Sequence, residues 1–355
     1  MSEKIYTELR KFMDTMPSGF PETPTGVEIK ILKKLFSPEQ AKLTMKLKKD
    51  PEEVSIIAKR INHDESELSQ KLEELAQKGL IYRIKRDGKI FYQSFQFVVG
   101  VYEFQVNNLD KEFCELFEEY LPYWGMSLAS VKTSQMRVIP VGSAFTPKST
   151  VAPYNKVRDL VMDQENICVS ECICSQEQEL LGHECFKPKE TCIAFGDFAQ
   201  YYLDNNLGKK INTDEALSLI DRAEEIGLVL QPTNTQTLSA ICCCCACCCP
   251  TLRYAKMSDK PSEFVHTYYK SNIDPELCVA CGECIERCPM DAIQEGDSVS
   301  ELLEERCIGC GLCVSTCPEE AISLLEKPNM EEPATTFSET LKRIESERIV
   351  SASKS

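Results

Sequence analysis

The sequence contains no apolar run that approaches the roughly 18 residues of a candidate transmembrane helix. Its opening stretch, Met1 to Tyr6, lacks the basic and apolar regions of a secretion signal. It also lacks a G-x-G-x-x-G fingerprint and a Walker loop, the phosphate-binding motifs of nucleotide and flavin sites. These absences predict a cytoplasmic protein that has no membrane span and binds no nucleotide cofactor.

The charge of the chain is unevenly distributed. The 355 residues carry a net charge of −16, and a chain of this length is expected to form two or three domains. Residues 28–89 contain 15 basic and 11 acidic side chains, a balance of +4, so the remainder carries −20. An acidic balance in the bulk of the chain argues against a nucleic-acid coat protein or a membrane-surface binder.

Eight of the 21 cysteines form a repeated pattern. Cys-x2-Cys-x2-Cys-x3-Cys-Pro occurs at 278–289 and again at 307–318. Three cysteines at steps of three let one short loop surround a [4Fe–4S] cube, and the fourth thiolate comes from the other copy. Zinc knuckles require paired Cys-x2-Cys ligands instead. The predicted ligands are Cys278, Cys281, Cys284 and Cys317 for cluster one, and Cys307, Cys310, Cys313 and Cys288 for cluster two.

This segment resembles the two-cluster bacterial-type ferredoxin module, with all eight ligand positions matched. The resemblance implies two [4Fe–4S] clusters and a role in electron transfer. Between Cys278 and Glu320 there are ten acidic side chains and two basic ones, a balance of −8. Reduction adds negative charge to a site that is already negative, so we expect low potentials. The same charge predicts a redox partner with a basic docking patch.

The front of the chain is predicted to contain three helices followed by a β-hairpin with an Asp87-Gly88 turn. The third helix covers 65–77, with Asp64 as its N-cap. Elements in this order resemble a winged helix-turn-helix domain, which implies a helix in the DNA major groove.

The charges of this front domain argue against DNA binding. Residues 64–78 carry five acidic side chains and only two basic ones, so phosphates would repel this helix. The hairpin is basic enough to touch a backbone, through Arg83, Lys85, Arg86 and Lys89. We therefore expect the domain to dock another protein or to support a homodimer, and we do not expect it to bind DNA.

A second concentration of cysteines lies between residues 168 and 249. Four candidate ligands, enough for a third [4Fe–4S] cluster, are Cys172, Cys174, Cys185 and Cys192. Seven more thiols stand among the eight residues 242–249, and these cannot all be inert, because free thiols would oxidise or pair. The further metal ligands predicted here are Cys242, Cys244, Cys245, Cys247, Cys248 and Cys249.

Two arrangements of these middle thiols remain open. The run 242–249 could hold a cluster of its own, or both groups could share a larger or non-cubane cluster that engages more thiols, which is the arrangement we favour. Adjacent cysteines are similar to those of the cysteine-rich domain of heterodisulfide reductases, which binds a non-cubane cluster, although the wider spacing of that family is not reproduced here. His183 is a candidate ligand that we expect to act instead as a hydrogen-bond donor beside Cys185.

The expected fold class is α+β multidomain. A winged-helix domain with an N-terminal lead is predicted at 1–100, a cysteine-rich iron–sulfur middle domain at 101–265, and a bacterial ferredoxin-like domain with two [4Fe–4S] clusters at 266–326. Residues 327–355 are predicted to be a linker, a helix that begins with a Thr336-x-x-Glu339 capping box, and a tail. Taken end to end, the chain resembles a multi-domain iron–sulfur protein family of anaerobes.

Three functions fit this organisation. We favour a multi-cluster electron-transfer protein that passes low-potential electrons to or from a partner reductase or activation system. The alternatives are a reductase with an unusual catalytic cluster in the middle domain, and a redox-sensing winged-helix regulator. If the protein is an enzyme, the sequence predicts an oxidoreductase.

Overall fold

The front of the chain combines helices with a small antiparallel sheet. A computed structural model describes residues 2–129, 131–145 and 151–352. The front helices are α1 (Ser2–Asp14), α2 (Val27–Leu35), α3 (Pro38–Thr44), α4 (Val54–Ile61), α5 (Glu65–Gln77) and α6 (Lys111–Leu128). The strands β1 (Glu52–Glu53), β2 (Tyr82–Arg86) and β3 (Lys89–Gln93) form a sheet in the order β1-β3-β2.

Local sequence signals account for these front elements. Ser37 and Gln40 form a capping box at the start of α3, and Asp64 accepts a hydrogen bond from the Glu67 N–H at the start of α5, as predicted. The predicted hairpin is confirmed, since β2 and β3 are antiparallel and both turn residues between them have positive φ.

The middle of the chain is organised around a five-stranded antiparallel sheet of order β6-β4-β5-β8-β7. Its strands are β4 (Ile167–Glu171), β5 (Glu190–Phe195), β6 (Lys209–Ile211), β7 (Val229–Pro232) and β8 (Ala240–Cys244). The helices around it are α7 (Val157–Met162), α8 (Ile173–Leu180), α9 (Gly196–Asp204), α10 (Thr213–Glu225), α11 (Pro250–Met257) and α12 (Pro261–Phe264).

The back of the chain holds two short antiparallel strand pairs and a long terminal helix. Strand β9 (Tyr269–Ile273) pairs with β12 (Ile322–Glu326), and β10 (Ile293–Glu295) pairs with β11 (Ser300–Leu302). Helix α13 (Glu283–Arg287) lies inside the first cysteine pattern, and α14 (Phe337–Ala352) closes the described chain. Residues 353–355 of the predicted tail lie outside the described residues.

Helix α14 ties the front to the middle. The predicted capping box is present, because Glu339 N–H donates to Thr336 Oγ1 and the Glu339 carboxylate accepts from the Thr336 N–H. Lys49 forms an ion pair with Glu345, and Thr340 donates to the carbonyl of Asn234. The helix therefore clasps neighbouring parts of its own chain.

Two hydrophobic cores organise these elements. The first joins the front helices and reaches Trp124, and it also takes in Tyr201 of α9. The second joins the middle sheet to the back of the chain, where Met290, Ile308 and Leu312 contribute to it. None of the described helices combines the length and the apolar character needed to cross a lipid bilayer.

Candidate metal centres

The two copies of the cysteine pattern line two separate cavities at the back of the molecule. The first cavity is lined by Cys278, Cys281, Cys284 and Cys317, and the second by Cys307, Cys310, Cys313 and Cys288. Each cavity therefore takes three thiols from one copy and the fourth from the other. The folded chain brings together the two ligand sets that the spacing predicts.

The same backbone shape recurs in both copies. Gly282 and Gly311 hold equivalent left-handed positions, with φ of 84° and 75°. Ala280 and Gly309 are also equivalent, with φ of 52° and 63°. A Cβ on Gly309 would lie 2.1 Å from the carbonyl oxygen of Tyr269, so no side chain fits where this loop passes strand β9.

Backbone N–H groups donate hydrogen bonds to the fourth cysteine of each copy, which lines the cavity of the other copy. Ala292 donates to Cys288 Sγ at 3.2 Å, and Ala321 donates to Cys317 Sγ at 3.3 Å. Such donors stabilise a thiolate, which is the form that binds iron. The donor set and its hydrogen bonds therefore fit a [4Fe–4S] cluster in each cavity.

Two serines outside the pattern also contact the cavity sulfurs. Ser271 N–H lies 3.4 Å from Cys307 Sγ, and the Ser271 hydroxyl lies 3.2 Å from Cys313 Sγ. In the other cavity, Ser300 N–H lies 3.5 Å from Cys278 Sγ. The sequence reasoning missed both serines, because they come from strands β9 and β11 and no spacing rule links them to the cysteines.

Six of the middle thiols form one interacting group, which we term the six-thiol group. Cys192 of β5 and Cys242 of β8 are cross-strand partners, and their thiols interact. Cys242 also interacts with Cys244, which lies two residues along the same face of the strand. The remaining members are Cys172 and Cys174 at the start of α8, and Cys249 beside Cys244.

Two members of the six-thiol group are predisposed to be thiolates. Interactions with Cys174 and Cys192 hold the pKa of Cys172 well below its ordinary value. Interactions with Cys192 and Cys244 do the same for the pKa of Cys242. These interactions favour thiolate within the group, which is the form of cysteine that binds a metal.

The sheet pleat separates one cysteine from this group. Cys243 points to the opposite face of β8, packs into the second core, and has a pKa raised by burial. Cys168 and Cys114 are likewise buried, and burial raises the pKa of each to about 12. The positions of these three thiols fit small buried hydrophobic residues.

Four other middle thiols form a second cluster, the four-thiol group, whose members are Cys185, Cys245, Cys247 and Cys248. All four Sγ atoms lie within 4.8 Å of one another. The structure thus places Cys185 beside the 245–248 turn, although its spacing indicated Cys172, Cys174 and Cys192 as partners; of these three, Cys172 lines one cavity with Cys185. The reason is the irregular loop 181–189, which leaves α8 and passes this turn. His183 is exposed and does not join the group.

Two carboxyl groups, the partly buried Glu103 and the buried Glu177, lie near the six-thiol group. Burial raises the pKa of Glu103 and of Glu177 to about 8, and each is electrostatically coupled to a thiol of the group. The Tyr102 hydroxyl donates to Glu177 Oε2 at 2.7 Å, while Glu177 Oε1 has no hydrogen-bond partner among the described residues. The sequence reasoning missed both acids, although Glu177 stands one helical turn after the buried Ile173 and so shares its inward face.

The start of helix α10 differs from what the sequence predicts. Two acidic residues follow Thr213, a pattern that predicts Thr213 as the cap. The cap is Asn212, whose side chain accepts a hydrogen bond from the Glu215 N–H, while the Glu215 carboxylate accepts from the Asn212 N–H. Thr213 is the first residue of the helix instead.

The comparison with known families agrees with the first two cavities. Residues 271–324 match the model of a 4Fe-4S dicluster domain. No curated protein and no solved structure matches the chain. The chain therefore contains a dicluster domain with the capacity to bind iron–sulfur clusters, and the middle cysteines supply further metal-binding capacity.

Proposed function

We propose that the protein is a multi-cluster electron carrier that passes low-potential electrons to or from a partner reductase or activation system of an anaerobe. The dicluster domain would hold two [4Fe–4S] clusters, one in each cavity, and the six-thiol group would hold a third iron–sulfur cluster. Bound clusters would supply one-electron transfer. The proposal rests on one observation: thiols of the six-thiol group and thiols of the second cavity belong to the same hydrophobic core.

Hydrogen bonds join the middle of the chain to the back of the chain beside the second cavity. Arg306 donates to the carbonyls of Lys256 and Ser258, and Val141 N–H donates to the carbonyl of Cys310. The second cavity is therefore anchored against the middle of the chain. Electrons would enter or leave the protein through the first cavity, whose cysteines do not belong to the core shared with the middle.

The surface at the first cavity fits a protein partner. Leu277 and Val279 are apolar and about half exposed, at 49% and 60%, and Cys281 is also exposed. Exposed Glu283 and Glu319 line the same cavity. An apolar contact surrounded by acids suits a redox partner with a basic docking patch, and the acids would steer its approach.

For the front of the chain we propose a winged-helix domain that docks protein and does not bind DNA. The order of its helices and its β1-β3-β2 sheet support this assignment. The basic residues of the hairpin are already paired with acids: Arg83 and Lys85 with Asp204, and Arg86 with Asp197. Both acids lie on α9, so the hairpin is occupied by the middle of its own chain.

Metal analysis and redox titration of the full chain test the electron-transfer proposal. If all three clusters are cubes, anaerobically purified protein is expected to contain about 12 cluster iron and about 12 sulfide. Titration followed by electron paramagnetic resonance (EPR) is expected to show three reversible low-potential signals. A chain with about eight iron and no middle signal would refute the third cluster, and the absence of any reversible signal would refute the function.

The docking surface is tested with a basic c-type cytochrome as electron acceptor. The double change Glu283→Gln with Glu319→Gln is expected to slow reduction of the cytochrome and to weaken its dependence on salt. The matched control changes Glu65 and Glu67 to Gln, since these exposed acids lie on α5 in the front domain. If both pairs of changes slowed reduction of the cytochrome equally, the first cavity would not be the docking site.

DNA binding is tested separately by a mobility-shift experiment at physiological salt. No discrete site is expected, because the hairpin cations are paired and α5 is acidic. A sequence-specific shift would contradict the proposal and favour a redox-sensing regulator.

A further inference from the structure

The spacing of the four-thiol group is unlike that of the cluster cavities. Cys185 Sγ lies 3.8 Å from Cys245 Sγ and 3.6 Å from Cys247 Sγ, and the Sγ atoms of Cys247 and Cys248 are 3.8 Å apart. Among the described residues, this is the only set of three or more potential ligands whose atoms all lie within 4.8 Å of one another. The cysteines of the two ferredoxin cavities do not meet that criterion.

These distances match the ligand shell of a single ion. A tetrahedral zinc site has Zn–S bonds of about 2.3 Å, and the edge of a tetrahedron is about 1.6 times that length, which places the sulfurs about 3.8 Å apart. A [4Fe–4S] cube separates its cysteine sulfurs further, because four iron atoms lie between them. Cys185, Cys245 and Cys248 also line a small cavity together with Cys172, Cys244 and Cys249, so the four-thiol group lies beside the six-thiol group.

The local backbone is built for such a site. Residues 245–249 form a tight turn in which Cys249 N–H donates to the Cys245 carbonyl at 3.1 Å. The Cys248 N–H also donates to the Cys245 sulfur. The fourth sulfur arrives from loop 181–189, which has no regular secondary structure. A four-ligand ion at this point would fasten the loop to the turn.

We propose that Cys185, Cys245, Cys247 and Cys248 bind one tetrahedral metal ion, zinc or iron, as a closed structural site separate from every cluster. Four thiolates complete the shell of such an ion and leave no position for substrate. This inference goes beyond the proposed function and does not depend on it. In this arrangement the adjacent six-thiol group is left as the cluster site of the middle domain, and one larger cluster shared by both groups is the alternative that the test distinguishes.

The test compares full-length variants purified anaerobically. Cys247→Ser changes the exposed member of the group, and Cys185→Ser changes the member supplied by the loop. Each variant is expected to lose one metal ion per chain, measured by mass spectrometry, with sulfide and all EPR signals of the clusters unchanged. The element that is lost distinguishes zinc from iron.

Two controls make the result specific. Cys192→Ser, in the six-thiol group, is expected to remove sulfide and cluster iron but keep the single ion. Cys243→Ala, on the other face of β8, is expected to keep both. Loss of about four iron with sulfide from Cys247→Ser would overturn the proposal, as would unchanged metal in both Cys185→Ser and Cys247→Ser. In every variant, the EPR signals of the dicluster domain show whether the chain has folded. The same signals test the proposed function separately from the single-ion site.

Discussion

Ser271 offers a direct way to test which sulfurs belong to cluster two. Its side chain is buried, and its hydroxyl lies 3.2 Å from Cys313 Sγ and 3.8 Å from Cys307 Sγ. A metal-bound thiolate has no proton, so the hydroxyl must be the donor in the loaded protein. Ser271→Ala removes this donor and keeps the backbone N–H that faces Cys307.

The expected size of the effect follows from the change in sulfur charge on reduction. A hydrogen bond to a charged group contributes about 1.5–3 kcal/mol, and it is stronger in the reduced state because the sulfurs then carry more negative charge. If about half of that energy differs between the two states, the difference is about 0.75–1.5 kcal/mol, which corresponds to about 30–65 mV for a one-electron couple. Ser271→Ala is therefore expected to lower the potential of cluster two by tens of millivolts.

An EPR-monitored redox titration measures this shift. The potential of cluster one should stay within error, because Ser271 contacts none of its thiols in the described structure. Ser300→Ala is the matched variant, and since the Ser300 hydroxyl lies 3.7 Å from Cys284 Sγ, it should lower the potential of cluster one by a smaller amount. A rise in potential, or an equal shift of both clusters with Ser271→Ala, would refute the ligand sets or the donor role.

The ligands of the dicluster domain could be predicted from sequence because most of them lie close together along the chain. Three of four ligands lie on one short loop, so the spacing alone defines the site, and the crossed fourth ligand follows from the repeat. The folded chain gathers the same two sets around its two cavities. The capping signals of α3, α5 and α14 are equally local, which is why residue patterns predict them.

The middle thiols could not be grouped from sequence because their neighbours come from sheet register. Cys192 and Cys242 meet as cross-strand partners fifty positions apart, and no spacing rule relates them. The run 242–249 is also divided by geometry. Strand pleating separates Cys243 from its neighbours, and the following turn sends Cys245 to a different group from Cys244.

The composition of the hairpin does not show which of its basic residues form ion pairs within the fold. Its basic residues suggested a surface that could touch a nucleic-acid backbone, yet the Arg83 side chain is 1% exposed and is paired with Glu73 and Asp204. Asp204 lies more than a hundred residues further along the chain, on α9. A cation counts toward an interface only when its partner within the fold is known.

Two further predictions follow from named contacts. Cys284→Ala is expected to remove the EPR signal of cluster one and leave the signal of the middle domain intact, and loss of every signal together would mean that the sites do not form independently.

Arg83→Met leaves Glu73 and Asp204 without their shared cation, so we expect it to lower the free energy of unfolding by about 3 kcal/mol, at the low end for a buried pair because Glu73 is a third exposed. Lys71→Met is the control, since Lys71 is half exposed and its ion pair is with the exposed Glu67, and denaturant unfolding measures both variants. Burial alone would raise the pKa of Glu73, but hydrogen bonds from Tyr92 and Arg83 outweigh burial and hold it below its ordinary 4.5. This stabilisation is present above pH 4.5 and is lost as the pH falls through the lowered pKa, so the difference between wild type and Arg83→Met should shrink in acid. A difference that stays constant from neutral to acid pH would show that Arg83 acts through packing alone.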